Sequence, residues 1–235
     1  MSFVQKVVYG LSKKSYGVQS FFLRLASNLE TFLLNGLNKD PELIKLIKKV
    51  RKESDMRVTS REAFMVYSVA RTQSRLAGEM AEVGVYKGGT ARLICEVKGD
   101  VPLHLFDTFR GLSNLDDIDR DYFVDGWFNA GLEEVKDYLN AYDQVFFYPG
   151  LFPTTSEPVK DKIFSFVHID SDLYRSILDS LEFFFPRLSP HGIILVHDYQ
   201  MPGVKKAVAD FFAGKPAQVI ESVTSYCMMM KLPDS

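Results

Sequence analysis

The sequence predicts an α/β fold: a mostly parallel sheet covered by helices on both faces, finishing in an antiparallel hairpin and preceded by a helical segment. Three observations carry that reading. From Glu79 onward short apolar runs alternate with helical patterns, the texture of a parallel sheet whose strands are buried on both faces. The last two runs are joined by Ser222, Val223, Thr224 and Ser225, a hairpin-length link. Before Glu79 the apolar residues recur at helical spacing instead.

Taken in order, residues 1–78 read as a helical cap or oligomer contact and residues 79–235 as the main domain. In the first part Leu43, Ile44, Ile47 and Val50 form one helical face behind an Asp40-Pro41 start signal. Lys45, Lys48, Lys49, Arg51 and Lys52 fill the other face. A solvated face is expected, with phosphate or anionic lipid as the alternative. A second helical pattern covers Arg61 to Leu76. The strand-like runs are Met80 to Val85, Leu103 to Phe106, Val145 to Tyr148, Ile163 to Ile169, Gly192 to Val196, Gln218 to Glu221 and Tyr226 to Leu232. Helical patterns fall near Thr90 to Val97, Leu132 to Leu139, Tyr174 to Leu188 and Val204 to Phe212.

Composition sets bounds. The 235 residues, 46% hydrophobic and 25% charged, exclude disorder, collagen and coiled coil. A net charge of −2 argues against a surface built for nucleic acid, but it conceals a split. Residues 1–78 hold 14 basic and 6 acidic residues, and the remainder 14 and 24. Opposite charges on the two parts predict electrostatic docking between them, within a chain or in a homo-oligomer. Cys95 and Cys227 lack a CxxC partner and fit reduced packing thiols of a cytoplasmic protein. The stretch Phe21 to Leu37 carries Arg24, Asn28 and Glu30, so no membrane span is expected, and no signal peptide is evident.

The candidate chemistry gathers at strand ends. Glu82-Val-Gly84-Val-Tyr-Lys-Gly88-Gly89 is a strand running into a glycine turn and a helix. Gly84 permits a tight turn, and Gly88 and Gly89 allow a ligand near the backbone. The glycines do not follow GxGxxG, and Glu82 would repel a pyrophosphate while suiting a cationic amine. Asp107 ends the next strand, where a carboxylate can accept ribose hydroxyls. An acidic glycine turn followed by a second carboxylate suits S-adenosylmethionine (SAM); the alternative is a plain βα turn with Asp107 capping the next segment. Two neighbouring strands then open into Asp170-Ser171-Asp172 and His197-Asp198. Asp170 and Asp198 form a hard-oxygen pair suited to a divalent ion, Asp172 could serve as base, and one of Asp170 and Asp172 is expected to cap the following helix. His168 reads as a satisfied core histidine, and His104 and His191 show no partner pattern.

The insertion between Thr108 and Ala130 places Asp117, Asp119 and Asp121 at the spacing of a calcium loop, but Tyr122 stands at the glycine position and Phe128 at the glutamate position. Its Tyr122, Phe123, Trp127 and Phe128 suggest a substrate lid, with a solvated loop as the alternative.

These motifs, together with Phe106-Asp-Thr-Phe-Arg-Gly-Leu112, His168-Ile-Asp-Ser-Asp-Leu-Tyr174, Pro186-Arg-Leu-Ser-Pro190 and Pro202-Gly-Val-Lys-Lys-Ala207, resemble the macrocin O-methyltransferase (TylF-like) family of SAM-dependent sugar O-methyltransferases. The resemblance covers most of residues 79–212. It implies a class I methyltransferase, Rossmann-like fold with seven strands. It also implies that Glu82, Gly84, Gly88 and Gly89 hold the methionine part of SAM, that Asp107 holds its ribose, that Thr108 also binds the cofactor, and that Gly150 opens a loop near the adenine. A Mg²⁺ or Mn²⁺ site would use Asp170, His197 and Asp198, with Asp172 as general base and a sugar or glycoside hydroxyl as acceptor. The family carries an Asp-Asp pair where this chain has His197-Asp198. That change could weaken Mg²⁺, favour a softer metal, or mark a metal-free base. Two competing readings are a SAM-binding scaffold without chemistry and a methyltransferase acting on another small molecule, RNA or protein.

Overall fold

The computed structural model describes residues 16–37, 39–214 and 219–232. The region where a signal peptide would lie, at the N-terminus, and Gln218 fall outside the described residues. Three helices come first: α1 (Tyr16–Gly36), α2 (Pro41–Ser54) and α3 (Ser60–Gln73). The sheet then alternates as β1 (Glu79–Val83), α4 (Gly89–Lys98), β2 (Leu103–Asp107), α5 (Leu132–Leu139), β3 (Val145–Pro149), β4 (Phe164–Ile169), α6 (Tyr174–Phe184), β5 (Leu188–Val196), α7 (Pro202–Phe211), β6 (Val219–Glu221) and β7 (Cys227–Met230). Strand order is β3-β2-β1-β4-β5-β7-β6. The first five strands are parallel, β7 runs antiparallel to β5, and β6 antiparallel to β7. The expected fold class is therefore the observed one.

Local chemistry explains the element ends. At α2, Asp40 accepts the Glu42 N–H at 2.9 Å and Pro41 fills the first turn, where its missing N–H costs nothing. Leu43, Ile44, Ile47 and Val50 are all buried, each stabilising the fold by about 1.5–3 kcal/mol, and the lysines face solvent. Arg51 instead turns back and donates to the Met56 and Val58 carbonyls at 3.1 and 2.7 Å, fixing the α2–α3 turn. Helix α3 starts in a capping box between Thr59 and Glu62.

Several expected boundaries move by one to four residues, most of all around Pro186. The helix expected over Tyr174 to Leu188 ends as an α-helix at Phe184 and tightens into a 3-10 turn over Phe185–Arg187, because Pro186 has no N–H to continue the α-helical ladder. The next strand accordingly begins at Leu188 rather than Gly192, pairing Leu188 with Phe164 and then shifting register so that Ile193 meets Phe166. His191, at φ 63°, lies within that irregularity.

The sheet is buried on both sides. Helices α6 and α7 cover one face through Ile177, Leu181, Val204 and Val208. On the other face Val66 and Ala70 of α3 join Ile94 of α4 and Val135 and Leu139 of α5 against Met80, Leu105 and Phe166. Helix α3 is thus part of the layer that covers the sheet. Apolar side chains make the main part of this contact, which departs from the expected docking of a basic surface on an acidic one. The Glu53–Arg92 pair across it, at 3.9 Å, has its charges reversed relative to the net charge of each part. Burial of apolar area outweighs a half-exposed ion pair worth about 0–1 kcal/mol.

Candidate active site

Parallel strands leave a crevice at their carboxyl ends, and here it is a cavity of about 790 Å³. Its walls come from the β1 turn, the ends of β2, β4 and β5, the 108–130 insertion and the helical segment before the sheet.

The glycine turn is shaped by protein contacts. At Gly84, with φ +86°, an added Cβ would lie 2.0 Å from the Asp170 carbonyl oxygen, so the missing side chain lets β1 close against β4. At Gly89 the space is taken by Ser54 and Met56 of the helical segment, 2.7 and 2.8 Å from an added Cβ. Gly84 and Gly89 line the cavity and Gly88 packs toward Val135. The backbone proximity expected for a ligand at Gly88 and Gly89 is thus used largely by side chains of α2, its following turn and α5.

Glu82 is fully buried beneath the turn, away from the cavity wall, with Oε1 2.7 Å from His168 Nδ1. His168 Nε2 lies 2.8 Å from the Tyr226 hydroxyl, making His168 a satisfied core histidine. Burial pushes the Glu82 carboxyl up, against the pull of His168.

Asp107 lines the cavity, yet its Oδ2 accepts the Val85 and Tyr86 N–H groups at 2.7 and 2.9 Å and its Oδ1 accepts that of Phe109 at 2.7 Å. A carboxylate has about four acceptor positions. Three are used in bracing the turn and the following loop, which leaves room for one ribose hydroxyl rather than two. Thr108 donates to the Gly111 carbonyl at 2.9 Å, and Gly150, whose N–H bonds the Asp107 carbonyl at 2.9 Å, forms the adjacent wall.

The carboxylate cluster converges on the same cavity. Asp170, Asp172, His197 and Asp198 all line it. His197 Nδ1 is 2.9 Å from Asp170 Oδ1 and 3.6 Å from Asp198 Oδ2. One ligand atom from each of Asp170, His197 and Asp198 can be chosen so that all lie within 4.8 Å of one another. Burial opposes charge on the imidazole, but the Asp170 and Asp198 charges outweigh it and hold the His197 pKa well above its ordinary value. Asp172, at φ 60°, is pushed well above the carboxylate range by burial and by the charges of Asp198 and Asp170.

Three contacts lay outside the sequence reading. Glu62 of α3, 6% exposed, reaches the far side of His197, 3.6 Å from Nε2. Burial raises its pKa, but His197, Ser225 and the Thr59 N–H outweigh that and hold it well below the usual range. The cap of α6 comes from neither Asp170 nor Asp172: Asp119 of the insertion accepts the Tyr174 N–H at 3.1 Å. That use of Asp119 also removes it from any calcium loop, since its oxygen faces a helix end. His104, for which the sequence shows no partner pattern, lies 2.5 Å from Glu79 and 2.9 Å from the Tyr148 hydroxyl at the opposite edge of the sheet. A T-x-x-E pattern at Thr59–Glu62 is the one local signal that could have found Glu62, as a cap, and nothing local signals its reach to Ser225. From the insertion, Tyr122, Phe123, Trp127 and Phe128 line the same cavity.

A seven-stranded sheet in this order with its cavity at the carboxyl edge is the class I methyltransferase architecture. The solved O-methyltransferase NovP aligns with 92% of this chain over its own full length, at a TM-score of 0.67 and 22% identity. An O-methyltransferase from Bacillus cereus, solved in complex with S-adenosylhomocysteine, aligns with 89% of this chain and 100% of its own, at 0.58 and 13%. The macrocin-O-methyltransferase (TylF) family model matches residues 61–228, and the chain belongs to that family. Among curated relatives, the 8-demethyl-8-(2,3-dimethoxy-alpha-L-rhamnosyl)-tetracenomycin-C 4'-O-methyltransferase of Streptomyces olivaceus is 31% identical over 150 residues, 57% of this chain and 58% of that protein. The chain thus spans under two thirds of that relative's length.

Proposed function

We propose that this protein transfers a methyl group from SAM to a hydroxyl of a sugar or glycosylated small molecule. One observation carries the reading: Asp170, Asp172, His197 and Asp198 line one cavity with the glycine turn and Asp107. Family membership and the rhamnosyl acceptor in the relative's name support the acceptor class. Gly84, Gly89, Asp107, Thr108 and Gly150 would face the co-substrate, with Glu82, His168 and Gly88 supporting the turn from behind. The acceptor would lie between the carboxylates and the aromatic residues of the insertion, with Ala26, the α2–α3 turn and Glu62 closing the cavity over residues 79–235.

Asp172 is the proposed base. Burial and the charges of Asp198 and Asp170 raise its proton affinity, which strengthens it as a proton acceptor while ionised. As the hydroxyl proton passes to Asp172, the oxygen forms a bond to the SAM methyl carbon and the S–C bond breaks in line, releasing S-adenosylhomocysteine. Holding oxygen and methyl in contact supplies much of the rate.

Asp170, His197 and Asp198 fit a divalent ion by their spacing and by two carboxylates with one imidazole, a set that suits Mn²⁺ as well as Mg²⁺. Such an ion would act as a Lewis acid toward the acceptor hydroxyl. Nδ1 can carry a proton or a metal but not both, so metal uptake should release a proton. The 2.9 Å contact between Nδ1 and Asp170 also favours a second reading, an ion-free enzyme in which protonated His197 supplies the positive charge.

Buried free thiols at Cys95 and Cys227 support a cytoplasmic setting, and no helix among the described residues is long and apolar enough to cross a membrane. Exposed Leu25, Leu29 and Phe32 on α1 support a homo-oligomer formed through that helix. The test is methyl transfer from labelled SAM to a panel of rhamnosides, other glycosides and sugar nucleotides, with EDTA and with Mg²⁺ or Mn²⁺ restored. Label should appear on a glycoside, vanish with EDTA and return with metal. Transfer that survives EDTA selects the ion-free reading, and SAM binding without turnover on any acceptor selects a scaffold.

A further inference from the structure

Glu62 is an acid from outside the sheet buried against the sheet's reactive edge. Its Oε2 accepts the Thr59 N–H at 2.7 Å, and its Oε1 accepts both the Ser225 N–H, at 3.2 Å, and the Ser225 hydroxyl. Ser225, in the β6–β7 link, places the same Oγ 3.0 Å from His197 Nε2. A hydroxyl has one proton to give. Because Ser225 gives it to Glu62, Ser225 can only accept from His197, and Nε2 must carry a hydrogen. The ring is then fixed with Nδ1 turned to Asp170 and Asp198, 2.9 and 3.6 Å away.

We infer that Glu62, acting through Ser225, is a positioning residue that sets the tautomer and orientation of His197, so that the helical segment before the sheet completes the Asp170–His197–Asp198 centre. This rests on the reading that the centre holds a divalent ion. An imidazole that ligates through one nitrogen ordinarily gives its other N–H to a carboxylate or hydroxyl, which fixes the ring and raises the basicity of the ligating nitrogen. Glu62 and Ser225 supply that partner from two elements far apart in sequence, 163 positions from one another.

Replacing the carboxylate by an amide reverses the relay. With Glu62→Gln the amide N–H₂ can donate to Ser225, whose hydroxyl proton is then free to point at Nε2, moving the ring hydrogen to Nδ1. Gln serves as well as Glu at the third position of a capping box, so α3 keeps its start. Thr59→Ala is the complementary control, since it breaks the cap but leaves the Glu62 carboxylate in place.

The experiment measures Mn²⁺ binding to the full chain by electron paramagnetic resonance, without SAM or acceptor, alongside SAM affinity by calorimetry. Glu62→Gln should weaken Mn²⁺ binding by about ten- to a hundred-fold with SAM affinity unchanged, and Ser225→Ala should follow it. Thr59→Ala should lower the melting temperature and keep the wild-type Mn²⁺ affinity. Equal Mn²⁺ binding by wild type and Glu62→Gln overturns the positioning role while leaving the metal reading intact. A parallel loss of Mn²⁺ and SAM binding reduces Glu62 to a structural acid and also overturns it. Wild type that binds no Mn²⁺ overturns the metal reading and this inference together.

Discussion

Two histidine–carboxylate pairs stand at opposite ends of the same parallel sheet and behave in opposite ways. At the amino end His104 meets Glu79 at 2.5 Å, and Lys162 occupies the other Glu79 oxygen at 2.7 Å. Burial drives the His104 pKa down despite Glu79, and Lys162 adds to that. Neither His104 nor Glu79 borders the cavity. At the carboxyl end His197 has Asp170 at 2.9 Å and Asp198 and Glu62 each at 3.6 Å, and its pKa rises. A His–carboxylate contact alone therefore carries no functional meaning. What separates the two is the surplus of acid around one ring and the open cavity beside it, both consequences of strands ending together.

The largest test of that difference lies at Asp172, whose carboxylate has no counterpart at the amino end. Asp172→Asn should cut turnover by about 10²- to 10⁴-fold while leaving SAM binding in place, measured by single-turnover methyl transfer and calorimetry. Near-normal rates would remove Asp172 as the base. A smaller effect separates the histidines directly. His197→Gln should weaken divalent-ion binding by about ten- to a hundred-fold and slow turnover with it. His104→Gln should cost about 1–3 kcal/mol of stability through its buried partners and leave turnover unchanged, as chemical denaturation and the same assay would show. Equal losses of activity in both would erase the distinction.

The smallest effect concerns an acid at the carboxyl end that serves a helix instead of a histidine. Burial lifts the Asp119 carboxyl to about 6, against the pull of the Tyr174 N–H. The unfolded chain ionises this group near its ordinary 3.8, so stability falls as pH rises from about 4 to about 6, and the deficit persists above that window. Asp119→Asn keeps an acceptor for Tyr174 and removes the charge. It should raise the melting temperature at pH 7 by about 2–4 °C, with the gain fading below about pH 4 in a pH series of thermal melts. A gain independent of pH would mean that charge is not the cause.

The fold was legible because its signals are local. Runs such as Phe164–Ile169 are too short and apolar for a surface helix, and Asp40-Pro41 and Gly88-Gly89 mark helix starts by backbone chemistry alone. The carboxylates were legible because a parallel strand delivers its last residue to one edge. Glu62 was not: its capping box is local, but its reach to Ser225 depends on α3 lying against the sheet. Asp119 was hidden for the same reason, since the cap of α6 comes from an insertion 55 positions earlier. Asp107 shows a third limit. Its type and position were evident, but the three backbone N–H groups that claim its oxygens emerge only with the turn.

The carboxyl edge is proposed to hold SAM and a divalent ion side by side. A crystal structure with S-adenosylhomocysteine and Mn²⁺, recorded with anomalous scattering, tests it most directly. The nucleoside is expected beside Asp107 and Gly150, with an anomalous peak bounded by Asp170, His197 Nδ1 and Asp198 and with Nε2 still held by Ser225. S-adenosylhomocysteine in the cavity with no Mn²⁺ peak among those three residues would contradict it.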